Sequence, residues 1–309
     1  MKIKKPVFAI LILGLLGLFS ISGWFISSQF QKSKTMNFNG ERALIDVGTI
    51  VSLGPRIPDS IAHTKAIGYI QDELKKAGWT GTVLKQDSNG HIAYNILATR
   101  SSLPPAILLG AHYDSRIFAD NDPVGANRLS AVPGANDGAS GVAVLLELAR
   151  TLPGDSATTA MLFIDIEDNG HIPGWEWILG SKAFASQMTI QPEVIVILDM
   201  IGDSDLNIFM EKNSDSEFTQ QIWKSAKNLG YGSTFIPEYK YRVLDDHVPF
   251  IEKGFRAVDI IDLDYPYWHT TYDTTDKISA ASLQIIGETL LAWIRDYGSC
   301  LQASNCGTP

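Results

Sequence analysis

The chain has 309 residues, 45% of them hydrophobic and 19% charged. That supports a large domain with a full core and excludes a disordered or collagen-like chain. The net charge is −9 even though Lys2, Lys4, Lys5, Lys32 and Lys34 crowd an acid-free N-terminus. The remainder is therefore more acidic still and repels phosphate backbones, which excludes nucleic acid as an expected partner.

In chain order, Lys2, Lys4 and Lys5 precede a stretch from Pro6 to Gln29 with no charged residue, rich in Leu, Ile and Phe. Its length suits one membrane span of roughly 20 apolar residues, with the basic flank on the cytoplasmic side. The alternative is a cleavable signal with a cut near Ser20-Ile-Ser22. Residues 1–29 thus read as an anchor or a signal, and both place the rest of the chain outside the cytoplasm. Residues 30–39 read as a tether, 40–298 as one domain without an internal linker, and 299–309 as a tail. Cys300 and Cys306 fall in the tail, where an oxidising compartment would allow a small disulfide loop.

Ser60 to Ala77 spaces Ile61, Ala66, Ile67, Ile70 and Leu74 at helical intervals and ends before Gly78. Short apolar runs follow at Tyr94–Ala98, Ala106–Ala111, Met161–Ile166, Val194–Leu198 and Ala257–Ile261, as expected of strands buried on both faces. Helical patterns lie between them, clearest at Ser140–Leu152, Ser216–Leu229 and Ala280–Tyr297. Strands alternating with helices predict an α/β fold with helices on both faces of the sheet.

Three consecutive predicted strands end in chemistry-bearing residues: His112-Tyr113-Asp114, then Glu167-Asp168, then Asp199. Ligand sites of open α/β sheets lie at that carboxyl edge. Two further candidates sit in loops. Asp137, in Asn136-Asp137-Gly138, directly precedes an apolar helix, where an N-cap is the competing role. His269, in Tyr267-Trp268-His269, follows the last strand, where simple packing is the competing role. Imidazoles with carboxylates form the usual donor set of a zinc site that keeps an open position. Glu167, with no basic neighbour in sequence, is the candidate general base and acid.

The segments carrying these residues resemble the M28 family of zinc peptidases and its glutaminyl cyclase relatives. They are Leu53-Gly-Pro-Arg-Ile-Pro58, Gly110-Ala-His-Tyr-Asp-Ser115, Gly134-Ala-Asn-Asp-Gly-Ala-Ser-Gly141, Ile166-Glu-Asp168, Leu198-Asp-Met-Ile-Gly202, Asp245-Asp-His-Val-Pro-Phe250 and Trp268-His-Thr270. The resemblance implies a three-layer α/β/α sandwich with a mostly parallel mixed central sheet, acting on the N-termini of peptides or proteins. In a peptidase, Asp137 would bridge two zinc ions, one held by His112 and Asp199, the other by Asp168 and His269. In a cyclase, one zinc would sit on Asp137, Asp168 and His269, and N-terminal glutamine would become pyroglutamate with release of ammonia.

Three features resemble the cyclase branch. Asp245 stands where peptidases usually carry Ser, and implies a carboxylate pair with Asp199 sharing a proton. Trp268 resembles the aromatic wall of the cyclase pocket. The segment Asp114-Ser-Arg-Ile-Phe-Ala-Asp-Asn-Asp-Pro123 resembles bacterial cyclases. Position 168 departs from the common pattern, with Asp where many members carry Glu. Trp175 and Trp177 are both candidates for a second aromatic wall. A non-catalytic exported domain is the third reading, and the retention of every ligand and of Glu167 argues against it.

Overall fold

The computed structural model describes residues 37–153 and 159–302. The charge-free N-terminal segment, most of the tether and Cys306 lie outside the described residues. No described helix is long and apolar enough to cross a membrane. Phe38 begins a compact unit of its own.

The elements in chain order are helices α1 (Gly40–Ser52) and α2 (Ile61–Lys76), strands β1 (Thr80–Ser88), β2 (His91–Thr99) and β3 (Ile107–His112), then α3 (Ser140–Thr151) and β4 (Thr159–Ile164). They continue with α4 (Leu179–Gln187), β5 (Val194–Asp199), β6 (Ile208–Met210), α5 (Ser216–Asn228), β7 (Phe235–Tyr239), α6 (Val248–Glu252), β8 (Ala257–Ile261) and α7 (Ala280–Gln302). Side chains start several helices: Asn39 accepts from Arg42 N, Ser60 from His63 N, and Asp215 from Glu217 N and Phe218 N. Helix α7 runs to Gln302, so the boundary expected at residue 298 falls inside it.

The main sheet has the order β1-β2-β4-β3-β5-β8. Strands β4, β3, β5 and β8 are mutually parallel, whereas β2 runs antiparallel to both β1 and β4. The expected mostly parallel mixed sheet is therefore present. Alternation along the strands builds the layers. Leu109, Ala111, Met161, Phe163, Val196 and Leu198 enter one core with α1, α2, α3, α5 and α7. Leu108, Leu162, Ile164, Ile195 and Ile197 enter a second core, with Phe184 of α4 and Phe250 of α6. A period of two with both faces apolar requires cover on both sides, giving three layers.

Strand β2 departs from the expectation of full burial, with His91, Tyr94 and Leu97 only half-buried. It is paired on its outer side by β1, whose residues are mostly exposed or half-buried. The β1–β2 hairpin turns at Asn89 and Gly90, both at positive φ, as a two-residue hairpin turn requires. Strand β3 is the switch point of the topology, with β4 on one side and β5 on the other. The crevice outside the carboxyl ends of those three strands is where such a sheet holds a ligand.

Candidate metal centre

His112 ends β3, Asp199 ends β5, and Glu167 and Asp168 follow β4 across a short turn. Ile166 sits at φ 46°, a conformation that a β-branched residue adopts only under constraint. The constraint is Asp114, whose carboxylate accepts from Glu167 N at 3.1 Å and Asp168 N at 3.3 Å. Asp114 also lies 3.4 Å from His112 Nδ1, so one buried carboxylate positions three site residues. Met200 and His269 also have positive φ, which places two further kinks at the same edge.

Asp137 does not cap a helix. Helix α3 begins at Ser140 after Ala139, and the Asp137 carboxylate turns the other way. Its Oδ1 lies 3.1 Å from His112 Nε2 and its Oδ2 lies 3.7 Å from His269 Nε2. His112 Nε2 also lies 3.2 Å from Asp199 Oδ1, and His269 Nε2 lies 2.8 Å from Asp168 Oδ1. Two three-residue donor sets result, His112 with Asp137 and Asp199, and Asp137 with Asp168 and His269. They share Asp137. The shorter arm of Asp168 still reaches the site.

Supports behind the donors are explicit. Asp273 accepts from Asn136 N, Asp137 N and the Tyr265 hydroxyl, which fixes the Asp137 loop. Asp120 approaches His269 Nδ1 at 3.6 Å and takes a bidentate pair from Arg116. Arg116 in turn donates to the carbonyls of Asp168 and Gly170. Metal-ligating imidazoles are commonly oriented by a carboxylate on the other ring nitrogen, and each histidine has a carboxylate near that nitrogen, at 3.4 Å for His112 and 3.6 Å for His269.

The electrostatics call for a cation. Burial, and next the Asp137 charge, raise the Asp168 carboxyl to about 6. Burial raises Asp199 to about 7, with the Asp245 charge adding to it against the His112 bond. Burial and then Asp168 push Glu167 well above the usual carboxylate range. Burial opposes protonation of His112, yet bonds to carboxylates, first Asp114, raise it well above an ordinary imidazole. Asp137 Oδ2 and Asp168 Oδ2 are buried without a hydrogen-bond partner, an expensive arrangement unless an ion takes those lone pairs. The donor set of imidazole and carboxylate oxygen suits zinc, and a bound cation would reverse the upward shifts of its ligands.

Asp245 lies at this pocket, and its charge bears on Asp199. It also has a carboxylate neighbour that sequence reasoning missed, Asp259 of β8. Asp245, His247 and Asp259 bring ligand atoms within 4.8 Å of one another. Burial and then the Asp245 charge hold Asp259 well above the usual range. The charges of Asp245 and Asp199 both act on Asp259, and that of Asp245 on Asp199, so three acidic side chains influence one another here. Asp259 was hidden because it looks like an ordinary strand residue within Ala257-Val-Asp-Ile-Ile261.

A cavity of about 340 Å³ opens over the donors. Its walls are Trp177, Met200, Val243, Leu244, Leu263 and Trp268, and Glu167 lies on its floor. Both Trp177 and Trp268 lean on the His269 ring, at centroid distances of 5.8 and 3.8 Å. The guanidinium of Arg116 lies over the Trp177 ring at 4.9 Å. Trp175 is the packing residue of the pair, stacked on His91 at 3.8 Å and set against Ala93, Ile166 and Leu179.

Residues 95–294 match Peptidase family M28. The chain belongs to that family. A glutaminyl cyclase from Tannerella forsythia superposes with a TM-score of 0.77 at 32% identity, covering 84% of this chain and 98% of the other. A Zn-dependent exopeptidase from Parabacteroides distasonis superposes with a TM-score of 0.78 at 30% identity, covering 84% and 99%. Aminopeptidase YwaD from Bacillus subtilis is 26% identical over 85% of this chain, which spans 58% of that protein's length. Zinc dependence is thus stated for a family neighbour, and the relatives include both glutaminyl cyclases and peptidases.

Proposed function

We propose that this M28 protein is a zinc-dependent glutaminyl-peptide cyclotransferase, converting N-terminal glutamine of peptides into pyroglutamate with release of ammonia. The observation that carries the reading is Asp245, in place of a serine, in the aromatic-walled pocket beside Asp199. A buried acidic cluster suits movement of a proton and burdens Asp199 as a ligand for a second cation.

Asp137, Asp168 and His269 would hold the zinc, which supplies Lewis acidity toward the γ-carboxamide carbonyl. Trp177 and Trp268 enclose the glutamine side chain and exclude water. Glu167 takes a proton from the α-amine as its nitrogen attacks the carbonyl carbon (Cδ) of the side-chain carboxamide, then gives it to the ammonia that departs from the same carbon. A carboxyl that burial holds well above the usual carboxylate range both accepts and returns a proton more readily than an ordinary glutamate. Asp199 and Asp245 share the negative charge beside the leaving group.

The aminopeptidase reading retains one specific support, the convergence of His112, Asp137 and Asp199 as a second donor set. Ammonia release from Gln-initiated peptides, with about one zinc per chain, is the expected result. Rapid cleavage of Leu- or Ala-amides by protein holding two zincs would reverse the assignment. The charge-free segment Pro6 to Gln29, preceded by Lys2, Lys4 and Lys5, supports export, with the catalytic domain anchored outside the cytoplasm or released there.

A further inference from the structure

The pocket's lining is acidic at its floor and apolar along its walls, with a single cationic side chain, Arg242, among the described residues that line it. Arg242 is exposed, on the segment between β7 and α6. It is not a free surface arm. Its Nη1 donates to Asn213 Oδ1, and Asn213 Nδ2 donates to the Val243 carbonyl. Beneath them the buried Glu211 accepts from Val243 N, Asn213 N and Ser214 N. The segment is thereby pinned and one edge of the guanidinium is fixed toward the protein. The other edge of that fork is the part suited to a planar carboxylate.

A peptide whose first residue fills the pocket has its amine at Glu167 and must leave through the mouth. The groups that pass Arg242 are then those of the second and third residues. Leu244 and Trp268, both exposed beside it, offer apolar contact but no charge selection.

We propose that Arg242 is a specificity-determining residue that recognises a carboxylate carried one or two residues after the N-terminal residue of the substrate. The inference rests on the site being one for peptide N-termini, but not on which of the two reactions occurs there. The carboxylate has two sources, an Asp or Glu side chain or the C-terminus of a very short peptide. An exposed ion pair is worth ~0.2–1 kcal/mol, so the discrimination expected is modest, ~1.4- to 5-fold in kcat/KM.

The test compares Gln-Glu-Ala-amide, Gln-Gln-Ala-amide and Gln-Ala with a free or amidated C-terminus, on zinc-loaded wild type, Arg242→Gln, Arg242→Lys and Arg242→Glu. Wild type should favour the charged member of at least one pair. Arg242→Gln should erase that preference, Arg242→Glu should invert it, and Arg242→Lys should retain part of it. The preference should also fade at high salt. A preference confined to the glutamate pair identifies a side chain, and one confined to the free acid identifies the C-terminus. Equal ratios in wild type and Arg242→Gln would overturn the proposal. Binding of the same peptides to zinc-loaded Glu167→Gln, with and without Arg242→Gln, reads the contact without turnover. Absence of turnover in wild type, with the binding preference intact, would instead count against the proposed reaction alone.

Discussion

Replacing Gly138 by Ala tests the scaffold that places Asp137. Gly138 has φ 94°, and a Cβ there would stand 2.1 Å from the Asp114 carbonyl oxygen, 3.1 Å from Arg56 Nη2 and 3.2 Å from His112 Cε1. A left-handed backbone costs a non-glycine residue ~1–2 kcal/mol, and overpacking a tight site adds ~1–3 kcal/mol. The 2.1 Å contact is with backbone that cannot step aside cheaply, because the same Asp114 holds Glu167 N, Asp168 N and His112. The expected destabilisation is therefore ~2–5 kcal/mol, a fall in Tm of roughly 5–15 °C for a domain of this size. Moving Asp114 also moves the donors, so zinc affinity should fall by at least ~10-fold, as when the supports of a metal site are disturbed. Thermal melts with zinc and with chelator, alongside a competitive zinc titration, measure both effects. A variant with unchanged Tm and unchanged zinc affinity would refute the account of this loop.

Glu167→Gln should keep zinc and lose ~10²- to 10⁴-fold in kcat, the usual worth of a positioned acid–base group; full activity would rule out its role. Asp245→Ser should leave the protein folded and zinc-bound, cut cyclisation by ~100-fold or more, and lower the upper pKa of the Asp199 group by removing a neighbouring charge. A harmless substitution would leave the acidic cluster without a catalytic part. Zinc affinity should weaken as pH falls through about 6, where protons compete for the ligand Asp168, while Asp199, held up to about 7, titrates beside it. The sign for stability is opposite in chelated protein. These carboxyls bind protons more tightly folded than unfolded, so stability falls as pH rises from about 4 to 7. Melts of chelated protein at pH 5 and pH 7.5 check it, and greater stability at pH 7.5 would contradict the reading.

Much of the centre was legible in sequence because α/β sheets deliver residues to one edge. His112, Asp168 and Asp199 each follow an apolar run, and runs of this kind announce their own ends. The helices at Ser140, Ser216 and Ala280 were legible for the same reason, each having a continuous apolar stripe. Strand β1 was not, because Thr80-Gly-Thr-Val-Leu-Lys-Gln-Asp-Ser88 is an edge strand with little to bury, although Asn89-Gly90 marked its hairpin. Helix α1 was missed as well, although its cap, Asn39, stands at the end of the residues read as a tether. The residues behind the donors, Asp120, Arg116, Asp273 and Asp259, act through distances across the fold. Spacing along the chain carries no trace of those. Trp175 and Trp177 show the limit most plainly. Two residues apart in one loop, one stacks on His91 and the other on His269, and only the path of the backbone decides which.

The most direct measurement is the mass of the product formed from a Gln-initiated peptide by the pure, zinc-loaded protein. A peptide lighter by one ammonia, with every residue retained and its amino terminus blocked, is the predicted result. A peptide shortened by its first residue, with free glutamine in solution, would contradict the account and make this chain an aminopeptidase.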